Sequence, residues 1–165
     1  MWYNYFMKRI AVLYSEYTPL IDALKYGLKD YAVDCLNTPE DMAKYDLVII
    51  SDYKGKYEGD ALACHHSLLP AFESENPEKD AILAGAKVTG VTIFFTNPKK
   101  IIAQYPIFIK NDTHYDELRQ ELTYVEQTLL PLVAQKILNN EPFEVSSLLN
   151  KTCSGSCGGC SSCNH

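Results

Sequence analysis

The sequence predicts an α/β fold: a mostly parallel sheet flanked by helices, followed by an irregular Cys-rich tail. Three observations carry this. Short β-rich apolar runs alternate with helical patterns from residue 9 onward. One of them, "DLVIISDY" (residues 46–53), is apolar almost throughout, as expected of a central parallel strand buried on both faces. Hydrophobic periodicity then ends after Leu149, leaving a stretch made largely of Cys, Gly and Ser. At 165 residues the chain is one domain by size. The expected division is an N-terminal extension over 1–7, a body over 8–149 and a tail over 150–165.

In order, "RIAVLYS" (residues 9–15) reads as the first strand. "TPLIDALKYGLKDY" reads as a helix, with Thr18 as N-cap and Pro19 at the first position. Leu20, Ala23, Leu24, Gly27 and Leu28 share one of its faces. "AVDCL" is a second strand, in which Cys35 reads as a small buried hydrophobe. "TPEDMAKY" is expected to be a short helix capped by Thr38. After the 46–53 strand and the polar loop "KGKYEGD", "ALACHH" forms another strand ending at two histidines. "NPEKDAILAGAK" (76–87) reads as a capped helix stopped by Gly85. "VTGVTIFF" and "IIAQYPIFI" flank the turn "TNPKK" and should pair as an antiparallel hairpin. "THYDELRQELTYVEQTLLPLVAQKILNN" is the longest helical pattern. Thr113 should cap it, Glu117, Glu121 and Gln127 should face water, and Pro131 should kink it. "EPFEV" is expected as a last edge strand.

Composition narrows the functional classes. Hydrophobic residues make up 47% and charged residues 22%, ordinary values for a soluble globular domain. The net charge is −6 and there is no basic stripe, so a phosphate backbone finds no footing and nucleic acid is not an expected partner. No run approaches the ~20 apolar residues that span a bilayer, and no membrane partner is expected. Near the N-terminus, Lys8 and Arg9 follow the aromatic run instead of preceding it, and no A-x-A-like site comes after. Met7 is a candidate start, and the expected location is the cytoplasm. In that compartment a cysteine cluster points to metal before disulfides.

The tail "CSGSCGGCSSCNH" offers that cluster. Cys153, Cys157, Cys160 and Cys163 match the coordination number of zinc or of a four-cysteine iron–sulfur cluster. Gly and Ser let backbone wrap closely around sulfur, and nothing nearby could build an apolar core, so a metal would have to organise the segment. The double x₂ spacing inclines the reading to iron–sulfur, with zinc or free reactive thiols as alternatives.

The second chemical feature is "ALACHHSLLPAF". Adjacent strand residues point to opposite faces, so Cys64, His65 and His66 are not expected to converge on one metal. His114 is expected in solvent, and the twelve tyrosines read as amphipathic edge residues.

Taken together, "HHSLLPAF", "AILAGAKVTGVTIFF", "IIAQYPI" and "LLPLVAQKIL" resemble, in order, the glycinamide ribonucleotide formyltransferase family. The resemblance covers nearly the whole body and implies a Rossmann-like formyltransferase fold. It implies transfer of a formyl group from 10-formyltetrahydrofolate to an amine. It also implies an Asn-x-His-Pro-Ser pattern whose Asn falls on Ala63, His on His65, Pro on His66 and Ser on Ser67. A second family His falls on Phe94. The family's Asp-bearing loop before "IIAQ" is reduced to "TNPKK", its phosphate loop is replaced by "SEYTP", and its folate-gripping segment is cut to "KGKYEGD". Formyl transfer passes through a tetrahedral oxyanion that needs aimed donors and a tuned proton carrier. His65 is therefore the one candidate catalytic residue, stripped of its amide and carboxylate companions.

Three readings follow. The first is a shortened formyltransferase-fold protein that has lost ordinary folate-dependent transfer, folate being doubtful, and that carries a metal on its tail. It would bind a small-molecule ligand or a partner enzyme. The second is an active one-carbon transferase using His65 on an unidentified amine. The third is a metal-handling or redox partner protein.

Overall fold

The computed structural model describes residues 7–144. A six-stranded sheet forms the centre, in the order β2–β1–β3–β4–β5–β6. Its strands are β1 (Arg9–Tyr14), β2 (Ala32–Leu36), β3 (Leu47–Ser51), β4 (Leu62–His65), β5 (Val88–Thr96) and β6 (Lys99–Phe108). β1 pairs in parallel with β2 and β3, and β3 with β4. β5 and β6 run antiparallel to their neighbours. The helices are α1 (Pro19–Gly27), α2 (Pro77–Leu83) and α3 (Tyr115–Leu138).

Strand alternation sorts the apolar residues into two layers. Ile10, Val12, Leu47, Ile49, Leu62, Val91 and Ile93 face α1 and α3 in the main core. Ala11, Leu13, Val48 and Ala61 face the other way into a small cluster covered by Leu36, Met42, Tyr45, Tyr53 and Tyr57. α3 crosses the main face and buries Leu118, Leu122, Leu129, Leu130, Val133, Ala134 and Leu138, each leucine or valine worth ~1.5–3 kcal/mol relative to exposure. The helix continues through the buried Pro131. There α1 comes unusually close: a Cβ added to Gly27 would lie 2.6 Å from the Cβ of Pro131. The Gln135 amide donates across the same contact to the Gly27 carbonyl. At the far end, the Lys8 ammonium donates to the Leu138 carbonyl, closing the carboxyl end of α3.

Several expectations need correction. The segment after Thr38 forms a single 3₁₀ turn, Met42–Lys44, not a capped helix. The Thr38 hydroxyl donates to Glu40 at 3.3 Å, and Asp41 sits in the left-handed region at φ 48°, which breaks helical geometry. Thr113 does not cap α3: its Oγ1 accepts from Lys110 N–H, and His114 takes the cap position. Glu117 and Glu121 face water as expected, but Gln127 is half-buried. Residues 141–144 form no strand. The tail cysteines 153, 157, 160 and 163, and the extension before Met7, lie outside the described residues.

Candidate functional site

The carboxyl end of β4 positions the site. β5 pairs with β4 along its whole length, from Leu62↔Phe95 to His65↔Thr92. The turn that follows is tied down by side chains from the next two strands. The buried Thr92 hydroxyl donates to Ser67 O at 2.6 Å and accepts from Leu69 N–H at 3.0 Å. The Gln104 amide donates to Thr92 Oγ1 and to Leu69 O, each at 3.0 Å. Ser67 Oγ donates to Ala71 O at 2.6 Å. Hence the "SLLP", "TGVT" and "IIAQ" stretches meet at one buried turn, to which each supplies a partner.

The two histidines take different partners. His65 Nε2 lies 3.1 Å from the carbonyl oxygen of Phe72, a residue held at φ 51°. The ring thus closes the 65–72 turn. His66 and Cys64, two positions apart, point together toward α3. There His66 Nε2 meets Glu126 Oε2 at 2.9 Å, with side-chain exposures of 20% and 16%. Burial draws the His66 pKa down, but the hydrogen bond and charge of Glu126 outweigh it, and the net shift is upward. Burial pushes the Cys64 thiol well above its ordinary value, and the Glu126 charge adds to this. A ligand atom from each of Cys64, His66 and Glu126 lies within 4.8 Å of the others. The three line a cleft of about 420 Å³ with His65, Asp52, Glu78 and Arg119. It opens beyond the carboxyl ends of β3 and β4, where open α/β sheets receive their ligands.

The expectation that these neighbouring residues would not converge is therefore half corrected. His65 turns to the Phe72 carbonyl, but Cys64 and His66, separated by one position, reach Glu126 together. The third member, Glu126, was missed. Nothing local marks it, since it lies 60 residues from His66.

The positions singled out by the resemblance sit as follows. Ala63 is buried and pairs with Phe94 across the β4–β5 ladder. The Lys99 ammonium stands 5.6 Å from the Phe94 ring centroid. β5 ends at Thr96 and β6 begins at Lys99, so a two-residue turn, Asn97 and Pro98, joins them. At the start of α1, Lys54 N–H donates to Ser15 Oγ at 2.8 Å and Lys54 pairs with Glu16 at 3.0 Å. The Tyr17 hydroxyl is bonded to Asp22. His114 is exposed, and Cys35 is half-buried with its thiol pKa raised by burial.

A mostly parallel α/β sheet with a polar cleft over its carboxyl edge defines the class of protein. The sequence pattern of the formyl transferase family matches residues 9–134, and the chain belongs to that family. It is 31% identical over 109 residues to a formyltetrahydrofolate deformylase of Haemophilus influenzae, covering 66% of this chain and 32% of that protein. It is 24% identical to the human trifunctional purine biosynthetic protein adenosine-3, covering 76% of this chain and 12% of that one. The chain thus spans a third or less of the length of these relatives. Among solved structures, phosphoribosylglycinamide formyltransferase from Bacillus halodurans aligns with a TM-score of 0.65 at 24% identity, covering 79% of this chain and 95% of that one. A formyltetrahydrofolate deformylase from Pseudomonas syringae aligns with a TM-score of 0.69 at 16% identity, covering 82% and 63%. These likenesses establish a shared fold.

Proposed function

We propose that this formyltransferase-family protein does not carry out ordinary folate-dependent formyl transfer to glycinamide ribonucleotide. On this reading its body binds a small-molecule ligand or a partner enzyme in the cytoplasm, and its tail holds a metal, iron–sulfur or zinc, on Cys153, Cys157, Cys160 and Cys163. The observation that carries the reading is the surroundings of His65. Its Nε2 is occupied by the Phe72 carbonyl. The position of the family amide is the methyl of Ala63, and the position of the second imidazole is the ring of Phe94. Loss of one oxyanion donor alone lowers a rate by ~10²–10³. Two features weaken any reception of the ribonucleotide phosphate. Glu16 beside the start of α1 already holds the Lys54 ammonium, and Asp22 puts a negative charge in the first turn, where it opposes an anion. The turn that replaces the family's phosphate loop contains no glycine.

The test is incubation of the full chain with 10-formyltetrahydrofolate and glycinamide ribonucleotide. No formylated product is expected from the wild type or from His65→Ala. Wild-type turnover that His65→Ala abolishes would replace this reading with that of an active transferase. The tail is tested by anaerobic purification, metal analysis and absorption spectroscopy of the wild type and a variant with all four tail cysteines changed to Ser. Loss of bound iron or zinc in the variant supports the tail site, and equal metal content in both counts against it.

A further inference from the structure

We propose that Cys64, His66 and Glu126 form a second metal site, distinct from the tail, that takes a zinc-class divalent ion and leaves one coordination position open to the cleft.

The donor set is the first argument. Thiol, imidazole and carboxylate together suit zinc and its neighbours, whereas magnesium and calcium prefer oxygen alone. Geometry is the second. Sγ of Cys64, a ring nitrogen of His66 and a carboxylate oxygen of Glu126 lie within 4.8 Å of one another. A tetrahedral zinc ion with ordinary bond lengths would set such atoms ~3.3–3.6 Å apart. The 2.9 Å contact between His66 and Glu126 must open slightly as the ion enters between them. Cys64 stands on β4, His66 directly follows that strand, and Glu126 stands on the 24-residue α3, so the frame is already in place.

Charge is the third argument. Glu78, only 6% exposed, faces the same cleft, as do Asp52 and Glu75. The cationic side chain at hand is that of Arg119, largely in solvent, with its Nε 3.9 Å from Glu78. With Glu126 the carboxylates outnumber the fixed cation, which favours a bound positive ion. Fourth, the open side of the cleft gives an ion an entry path and leaves room for a water or a ligand atom in the remaining position. Three protein ligands with one vacancy is the arrangement of zinc sites that do chemistry or accept a ligand.

The experiment uses the full chain with the four tail cysteines changed to Ser, so that metal held there is not counted. Chelator-treated protein is titrated with Co²⁺ as a spectroscopic stand-in for zinc, and then with Zn²⁺ in competition. One equivalent of Co²⁺ should bind and produce a near-ultraviolet thiolate-to-cobalt band together with the visible bands of tetrahedral cobalt. Zn²⁺ should displace it. Cys64→Ala should abolish the thiolate band, and Cys35→Ala should leave it intact. Glu126→Gln keeps an acceptor for His66 and so preserves the fold. It should weaken Zn²⁺ binding at least ~100-fold, beyond the ~10–100-fold typical of losing a hydrogen-bond partner outside the ligand set. Circular dichroism checks that each variant is folded. Absence of the band in the folded parent protein would overturn the proposal, leaving a thiol beside a His–Glu pair. So would a band that survives Cys64→Ala, or unchanged affinity in Glu126→Gln.

Discussion

Replacing Gly27 by Ala tests the contact that seats α3 over the sheet. On an exposed helix the change would stabilise, because Ala is favoured over Gly by ~1 kcal/mol within a helix. Here Gly27 is the last residue of α1, which reduces that gain. The new Cβ would sit 2.6 Å from Pro131 Cβ, against the ~3.5–4.0 Å that two carbons prefer. The proline ring cannot rotate away, so the helices must part by about 1 Å, straining the Gln135 amide bond to the Gly27 carbonyl. Overpacking of this kind costs ~1–3 kcal/mol, more than the propensity gain. A net loss of ~1–2 kcal/mol should lower Tm by ~2–8 °C in a chain of this size. Thermal unfolding followed by far-ultraviolet circular dichroism reads the result. A Tm equal to or above that of the wild type would refute the close packing of α1 on Pro131.

Thr92→Val keeps the shape but removes the hydroxyl that serves Ser67 O, Leu69 N–H and the Gln104 amide. Denaturant unfolding should show a loss of ~1–3 kcal/mol, and hydrogen exchange at Leu69 should accelerate; unchanged protection would show that the turn is held some other way. Asp34 accepts from Arg9 at 2.7 Å and from Tyr45 at 3.0 Å, and the Arg9 bond foremost holds its pKa below the ordinary value. Because the folded pKa is depressed, its stabilisation is present above the unfolded pKa and fades as pH falls through the folded one. Its side chain is 40% exposed, so the effect is small. Asp34→Asn should therefore lower Tm slightly at neutral pH, by an amount that shrinks as the carboxylate of the wild type is protonated in acid; a deficit that does not shrink as pH falls would contradict the assignment.

Much of the architecture was legible in the chain. The unbroken apolar run through Val48 and Ile49 announced a central strand, and "TNPKK" between two β-rich runs announced the hairpin. Pro19 marked the start of α1 because its fixed φ suits a first helical turn. Failures came where local signals met tertiary ones. Thr38 and Pro39 look like a helix start, but too little apolar surface follows to anchor a helix, and the chain turns at Asp41. The pairing of Cys64 with His66 was recoverable from two-residue alternation, since residues two positions apart in an extended chain share a face. Glu126 was not recoverable: on the helical wheel it is one more carboxylate, and only folding brings it beneath β4.

The separate anchors of His65 and His66 have a lasting consequence. Joined by one peptide bond and lining one cleft, the two imidazoles answer to different parts of the chain, one to the carbonyl of Phe72 and the other to Glu126 on the long helix. A small shift of that helix would therefore move the His66 wall of the cleft while the turn ending at Phe72 kept His65 in place.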